Sequence, residues 1–504
     1  MMDTSELLKQ YNDWKFKVSA YEMAVSLIGI EEQTIAPSGG SEYRNDRMAF
    51  LQGELFSLST SEDALKMIDA VKNNEAIDEV TRREARLFSR SMHNFCCIPK
   101  DTYVEFTKLQ ADNYLRWKKA KEAGDYSLFE DSLVAIIEME RKIYGFRGSD
   151  VPLYDQMLDE FEPGMNMAFY DRFFDQVKER LVPLIQRVAK AEPIDDSFLY
   201  LDYPIDRQRE YTEKYLLPYL GYTPDWGYVG ETEHPFTAWT CENDCRVTTK
   251  YLENSAVSNI FSIIHETGHA WYEHDIDPRF DGGPLSNNVG SAMHESQSRF
   301  CENYLGRSAS FWKYCYKDLQ KEFPQQLGGV DVDTFVRAIN ASRPSLIRTE
   351  ADELTYPLHI LIRYEIEKGL FTGKISTANL NKTWNDMYEK YLGVRPANDR
   401  EGILQDVHWA DGSFGYFPTY ALGSAFGAQF LHAMKKDIDV DAALAEGRYL
   451  DCIGWLKEHI HRYGALYDAG TMVKMASGEP FDARYYLDYL EDKYSRLYSL
   501  GDRR

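Results

Sequence analysis

Long apolar runs are missing from this chain. No stretch of about 18 apolar residues occurs, so no transmembrane helix is expected. The first residues, MMDTSELLKQYNDWKFK, are polar and contain no apolar signal-type segment, so a cytoplasmic protein is expected. Cysteine is sparse. Seven thiols (Cys96, Cys97, Cys241, Cys245, Cys301, Cys315 and Cys452) lie among 504 residues, with no Cys-x-x-Cys pair, which fits free thiols and excludes a disulfide framework. Positive charge is also short: 57 Lys and Arg face 81 Asp and Glu, a net charge of −24, which disfavours nucleic acid and anionic membranes as partners. There is no internal repeat, low-complexity tract or Ser/Gly linker. Residues 1–504 therefore read as one domain, with no legible boundary between lobes, and the closing Arg503-Arg504 reads as a solvated tail.

What is present is helical periodicity. Segments 81–95, 103–124, 127–146, 168–191, 310–322, 351–368, 380–392, 421–436 and 483–499 carry apolar residues at helical spacing. The fold class is mostly α. One stretch differs: HPFTAWTCENDCRVTTKYL (234–252) places β-branched and aromatic residues on both sides of Glu242-Asn243-Asp244, a hairpin signal. An edge strand there could hold an extended peptide by its backbone, or the hairpin could simply pack the core.

Just beyond the hairpin lies IIHETGHAW (263–271). Val257, Ile260, Phe261, Ile264, Gly268 and Trp271 form a helical stripe, with Asn254 or Ser255 as N-cap and an end before Pro278. His265 and His269 stand one turn apart on one face, where both can ligate one metal ion. Glu266 is offset by one position and can reach a bound water as a general base without joining the ligands. Catalytic zinc needs a third protein ligand. A metzincin would have Gly and His where this chain has Tyr272 and Asp275, which excludes that arrangement. The better source is GSAMHESQSRFCENYLG (290–306), a second helix in which Glu295 borders the apolar stripe; Glu302 is the competing choice, with a plain surface position as its other reading.

HPF (234–236), DCRVT (244–248), HETGH (265–269), HESQ (294–297), IRTEAD (347–352) and GILQDVHW (402–409) occur in this order. In that order and spacing the chain resembles the carboxypeptidase Taq family of metallocarboxypeptidases, and the likeness extends over 31–55 and 414–423. The resemblance implies a two-lobed, gluzincin-like helical fold with a deep groove and a small sheet near the metal helix. It also implies a homodimer that removes single residues of broad type from free C-termini, with Zn2+ as cofactor and Co2+ as a possible substitute. His265, His269 and Glu295 become the ligands and Glu266 the base. Many gluzincins place an Asp four residues after the third ligand. Arg299 stands there instead, so the histidine-orienting partner must come from elsewhere, and Asp352 is the candidate.

Hydrolysis needs donors to the developing oxyanion, and His408 and Tyr420 in the matched segments can donate; GYFPTY reads as a shaped loop. An exopeptidase must hold the terminal carboxylate, for which the planar fork of Arg348 is suited, unless it pairs with its own acidic neighbours. His234 and Arg246 are further substrate-binding candidates that could instead pin the hairpin. The rival activity is a zinc oligoendopeptidase on a similar scaffold, which needs no terminal carboxylate; a binding protein with an idle metal site is the non-enzymatic alternative.

Overall fold

The helical stripes become helices throughout a computed structural model that describes residues 3–286 and 289–501. Glu79–Cys96, Lys100–Ala123, Ser127–Gly145, Met167–Val188, Ala309–Glu322, Leu380–Leu392 and Arg484–Leu497 match the expected segments to within a few residues. The Arg503-Arg504 pair lies outside the described residues. Among these, no helix is long and apolar enough to cross a membrane.

Two expected segments differ. Residues 351–355 are not helical, because Asp352 Oδ1 accepts from the amides of Leu354 and Thr355 and folds a turn; the helix begins only at Tyr356, with Pro357 in its first turn (Tyr356–Phe371). Conversely, the helix expected from 421 starts at Phe417 (Phe417–Asp437). Pro418 is accommodated in its first turn, where a missing N–H costs nothing, so Tyr420 sits on a helix and not on a loop.

The hairpin forms as read, and gains a strand. β1 (Gly227–Glu231) runs parallel to β3 (Asp244–Thr249), and β2 (Thr237–Cys241) runs antiparallel to it with Thr237 opposite Val247 and Trp239 opposite Cys245. The order β1-β3-β2 leaves β2 at an edge. Glycine-bearing β1 (GYVGE) has little of the β-branched signal that marked the hairpin.

One continuous apolar core runs from the 100s to the C-terminal helix. Residues of the N-terminal helices, from Thr4–Gln33 to Glu79–Cys96, form a second cluster around Tyr11, Trp14, Ile68, Val71, Ala85 and Phe88. In the main core, three helices meet closely enough to need glycine. A Cβ on Gly268 (helix Ala256–His274) would lie 2.8 Å from Gln297 O and Ser298 Cα, and one on Gly423 would lie 2.9 Å from Ala292 O. The helix Ser291–Arg299 is thus held between the 256–274 and 417–437 helices, and continues as a π-helical segment over Phe300–Gly306.

Candidate metal centre

Ser255 caps the 256–274 helix, its Oγ accepting from Ser258 N. From this helix His265 and His269 project side by side, ring centroids 5.1 Å apart. Glu295 comes across from the next helix: its Oε2 lies 3.8 Å from His265 Nε2 and 3.5 Å from His269 Nε2, and one donor atom from each residue falls within 4.8 Å of the others. Two ligands on one tetrahedral zinc at about 2.0–2.1 Å stand about 3.3–3.4 Å apart. The carboxylate-to-imidazole separations fit a shared cation and are too long for hydrogen bonds.

The surrounding charges tune this set. Burial pushes His269 down to about 3, helped by the neighbouring His294, so its imidazole is neutral and able to ligate. Burial also pushes His265 down, but Glu295 and Glu302 outweigh it and raise the ring above its ordinary value. Glu295 is kept ionised well below the usual carboxylate range, because Arg299 and the two histidines overcome its burial. Arg299 Nε donates to Glu295 Oε1 at 2.7 Å and its Nη1 to Glu302 Oε2 at 3.1 Å.

Glu302 does not join the group formed by His265, His269 and Glu295, and it is not a surface residue. It is buried, and its Oε2 lies 3.0 Å from His265 Nδ1, while Arg307 Nη2 donates to its other oxygen at 3.0 Å. A proton on Nδ1, fixed by Glu302, leaves the Nε2 lone pair for a metal. The π-helical segment sets Glu302 seven residues after Glu295 on the same side. Asp352, the expected orienting group, is instead used on backbone amides of its own turn and on Arg343 N. The His269 Nδ1 is buried without a hydrogen-bond partner among the described residues; its ring stacks on that of His294 at 4.3 Å, and His294 Nε2 meets Glu273 Oε1 at 2.8 Å.

Glu266 faces β2. Thr237 Oγ1 lies 2.7 Å from its Oε2 and 2.9 Å from its carbonyl oxygen, a contact that sequence reasoning missed. Burial raises the Glu266 carboxyl above the usual range, which strengthens it as a base.

A second cluster lies beyond Glu295. Arg348 does not pair with its acidic neighbours in the chain. Its Nε and Nη2 donate to Asp406 Oδ1 at 3.0 and 2.8 Å, its Nη1 donates to Tyr356 OH at 3.1 Å, and Arg363 takes the other Asp406 oxygen. Two guanidiniums on one carboxylate leave an excess positive charge in a buried place. Arg363 is 0% exposed, so Arg348, 7% exposed, is the one nearer solvent. Its guanidinium carbon sits 5.1 Å from the Tyr420 ring centre. Tyr416, unforeseen from sequence, packs edge-on to Tyr420 at 5.2 Å and 5.6 Å from His408. His408 lies 4.4 Å from the Phe417 ring; burial pushes it down to about 4, so it is neutral, and its Nδ1 has no partner among the described residues. After burial, the Glu295 charge contributes to the raised values of both tyrosines, which places their hydroxyls in its field.

Two weaker candidates stand apart. Arg246 clamps Asp244 on its own strand through Nε and Nη2 (2.7 and 2.9 Å) and reaches Glu31 at 3.7 Å, so it ties the sheet to the N-terminal helix. His234 is exposed between β1 and β2, with its carbonyl accepting from Thr232 Oγ1. Buried Glu162 is an unforeseen support. Its Oε2 accepts from Ala292 N at 2.6 Å, at the start of the helix bearing Glu295.

The family model described as "Carboxypeptidase Taq (M32) metallopeptidase" matches residues 10–494. Carboxypeptidase 1 of Bacillus subtilis is 41% identical over 495 residues, which covers 98% of this chain and 99% of that protein. Thermostable carboxypeptidase 1 of Thermus thermophilus is 34% identical over 487 residues, 94% of this chain and 95% of that protein. The crystal structure of the M32 carboxypeptidase from Deinococcus radiodurans superposes with a TM-score of 0.95 at 30% identity, covering 98% of this chain and all of that one (100%).

Proposed function

The chain belongs to the carboxypeptidase Taq (M32) family of metallopeptidases and is a metallocarboxypeptidase, and from that premise we propose which residues do the work. His265, His269 and Glu295 would hold the metal, zinc or cobalt in its place. The observation that carries this assignment is the convergence of two imidazole nitrogens and one carboxylate oxygen on one point, beside a buried Glu266. Bound there, a divalent cation supplies Lewis acidity and makes water a nucleophile near neutral pH.

Everything else falls to side chains. Glu266, steadied by Thr237, takes a proton from the attacking water and later gives it to the leaving amine. Tyr416, Tyr420 and neutral His408 pack against one another, the two tyrosines within the field of Glu295, and donate to the oxygen that gains negative charge. Arg348, already oriented by Asp406, binds the terminal carboxylate of the substrate with the excess positive charge it shares with Arg363. The β2 edge aligns the peptide upstream of the cut. His234 and Arg246 shape that strand's surroundings more than they touch substrate.

We extend the proposal to a cytoplasmic homodimer of two-lobed protomers that takes peptides of broad sequence. The partly exposed rings of Phe56 and Phe95 on the N-terminal helices pack against Tyr103 of the Lys100–Ala123 helix and offer a second copy an apolar face. Glu266→Gln tests the site: it should keep one zinc per chain and lose kcat by at least about 10³-fold. Normal turnover by that variant would remove Glu266 from the base role.

A further inference from the structure

A cavity of about 630 Å³ opens between residues 12–26 of the N-terminal helix, the end of β2 and residues 276–286. It begins next to the metal centre. Alternate β2 residues share a face. Thr237 touches Glu266, and Trp239, two positions on, stacks at 5.5 Å on His294, which itself stacks on His269. Trp239 and the following Thr240, Cys241 and Glu242 then line the cavity. A peptide lying along the β2 edge advances about 3.3 Å per residue, as the strand does. A peptide aligned on that edge with its C-terminus at the His265, His269 and Glu295 group would run its upstream residues past Trp239 toward this space.

The charge of the walls is one-sided. Glu22, Glu242, Glu273 and Asp281 line the cavity, and the cation among its lining residues, Lys15, is already bonded to Glu84 at 3.0 Å. Glu273 is 3% exposed, and its Oε2, like Glu242 Oε2, has no hydrogen-bond partner among the described residues. Buried acceptors left this way are costly, and a cationic donor is the group that resolves the cost. Desolvation and the facing Glu242 carboxyl push Asp281 up to about 7 although Lys15 opposes them, and desolvation raises Glu22 and also Glu273, where His294 offsets part of it.

We infer that this cavity is a substrate subsite selecting positive charge, either a Lys or Arg side chain or the free α-amino group of a short peptide, upstream of the scissile bond. The inference rests on the carboxypeptidase reading above. Attraction and rejection both contribute, since an acidic residue placed against these walls is penalised more than a basic one is rewarded.

The test compares hexapeptides that differ only at the fourth residue from the C-terminus (Lys, Gln or Glu), each with a free or acetylated amino terminus, on the zinc enzyme. The wild type should favour Lys over Glu in kcat/KM by about tenfold, and added salt should shrink the ratio. Acetylation that slows all three equally assigns the α-amino group as the ligand; a preference that survives acetylation assigns the side chain. In the double variant Glu22→Gln/Asp281→Asn the Lys-to-Glu ratio should fall below about threefold. The ratio is internal to each preparation, so partial misfolding does not mimic the result. Equal rates for Lys and Glu peptides together with no effect of acetylation, or a double variant that leaves both the ratio and the acetylation effect unchanged, would overturn the subsite. An N-blocked dipeptide ends before the cavity, so its hydrolysis reports the carboxypeptidase reading alone. If neither it nor the hexapeptides are cut, that reading falls and the subsite with it.

Discussion

Asp406 sits between Arg348 and Arg363, and its removal leaves two buried guanidiniums unpaired. Asp406→Asn should cost about 3–5 kcal/mol of stability, read as a lower unfolding transition. The two guanidiniums hold the Asp406 carboxyl far below its ordinary range against the effect of burial. A lowered carboxyl contributes stability above its unfolded value and loses it as pH falls through the folded value. The gap between wild type and Asp406→Asn should therefore be level from pH 5 to 8 and begin to close only below about pH 4. Arg348→Ala should lower kcat/KM on free-acid peptides by about 10²-fold or more, chiefly through KM. The side chains proposed for the chemistry could be named from sequence because it asks for particular types and spacing: two histidines one turn apart, a glutamate between them, a guanidinium for a carboxylate; the structure brings His265, His269 and Glu295 together. Their partners were not legible. Thr237 reaches Glu266 from 29 residues away and Asp406 reaches Arg348 from 58, distances over which one sequence carries no pairing signal.

The elements hold the proposed ligands through close helix contacts. Gly268→Ala would ordinarily gain up to about 1 kcal/mol of helix propensity. Here the new methyl meets backbone of the Glu295 helix at 2.8 Å, and overpacking of this kind costs about 1–3 kcal/mol, so the net effect should be destabilising. It should also weaken zinc binding, measured by chelator competition, because the shift separates His265 and His269 from Glu295. Glu162→Ala should likewise loosen zinc by about tenfold or more, with Glu162→Gln recovering most of it by keeping an acceptor for Ala292 N. Helix periodicity, an N-cap at Asn254 or Ser255 and a hairpin turn around Glu242-Asn243-Asp244 follow from local physics and were legible; the cap is Ser255 and the strands leave Glu242-Asn243 between them. The π-helical stretch after Arg299 was not, since its residues have ordinary helical character. The GYFPTY segment misled because proline breaks a helix in its interior but suits its first turn.

At the scale of the whole molecule, the cavity beside β2 joins parts that fold around separate apolar clusters. The helices that bear the proposed ligands belong to the main core, and the N-terminal helices add the far wall of the cavity beside β2. Saturating zinc at 1,000 times its Kd should stabilise the chain by about 4 kcal/mol, seen as a chelator-dependent drop in the unfolding temperature. The cavity was beyond reach of sequence reasoning, because its walls come from residues 12–26, 239–242 and 273–286. The most direct test of the account is mass spectrometry of one peptide, as free acid and as C-terminal amide, incubated with the zinc enzyme with and without chelator. The expected result is stepwise loss of C-terminal residues from the free acid alone, abolished by chelation. Internal cleavage of both forms, or equal trimming of the amide, would contradict the placement of Arg348 and with it the exopeptidase geometry proposed for this groove.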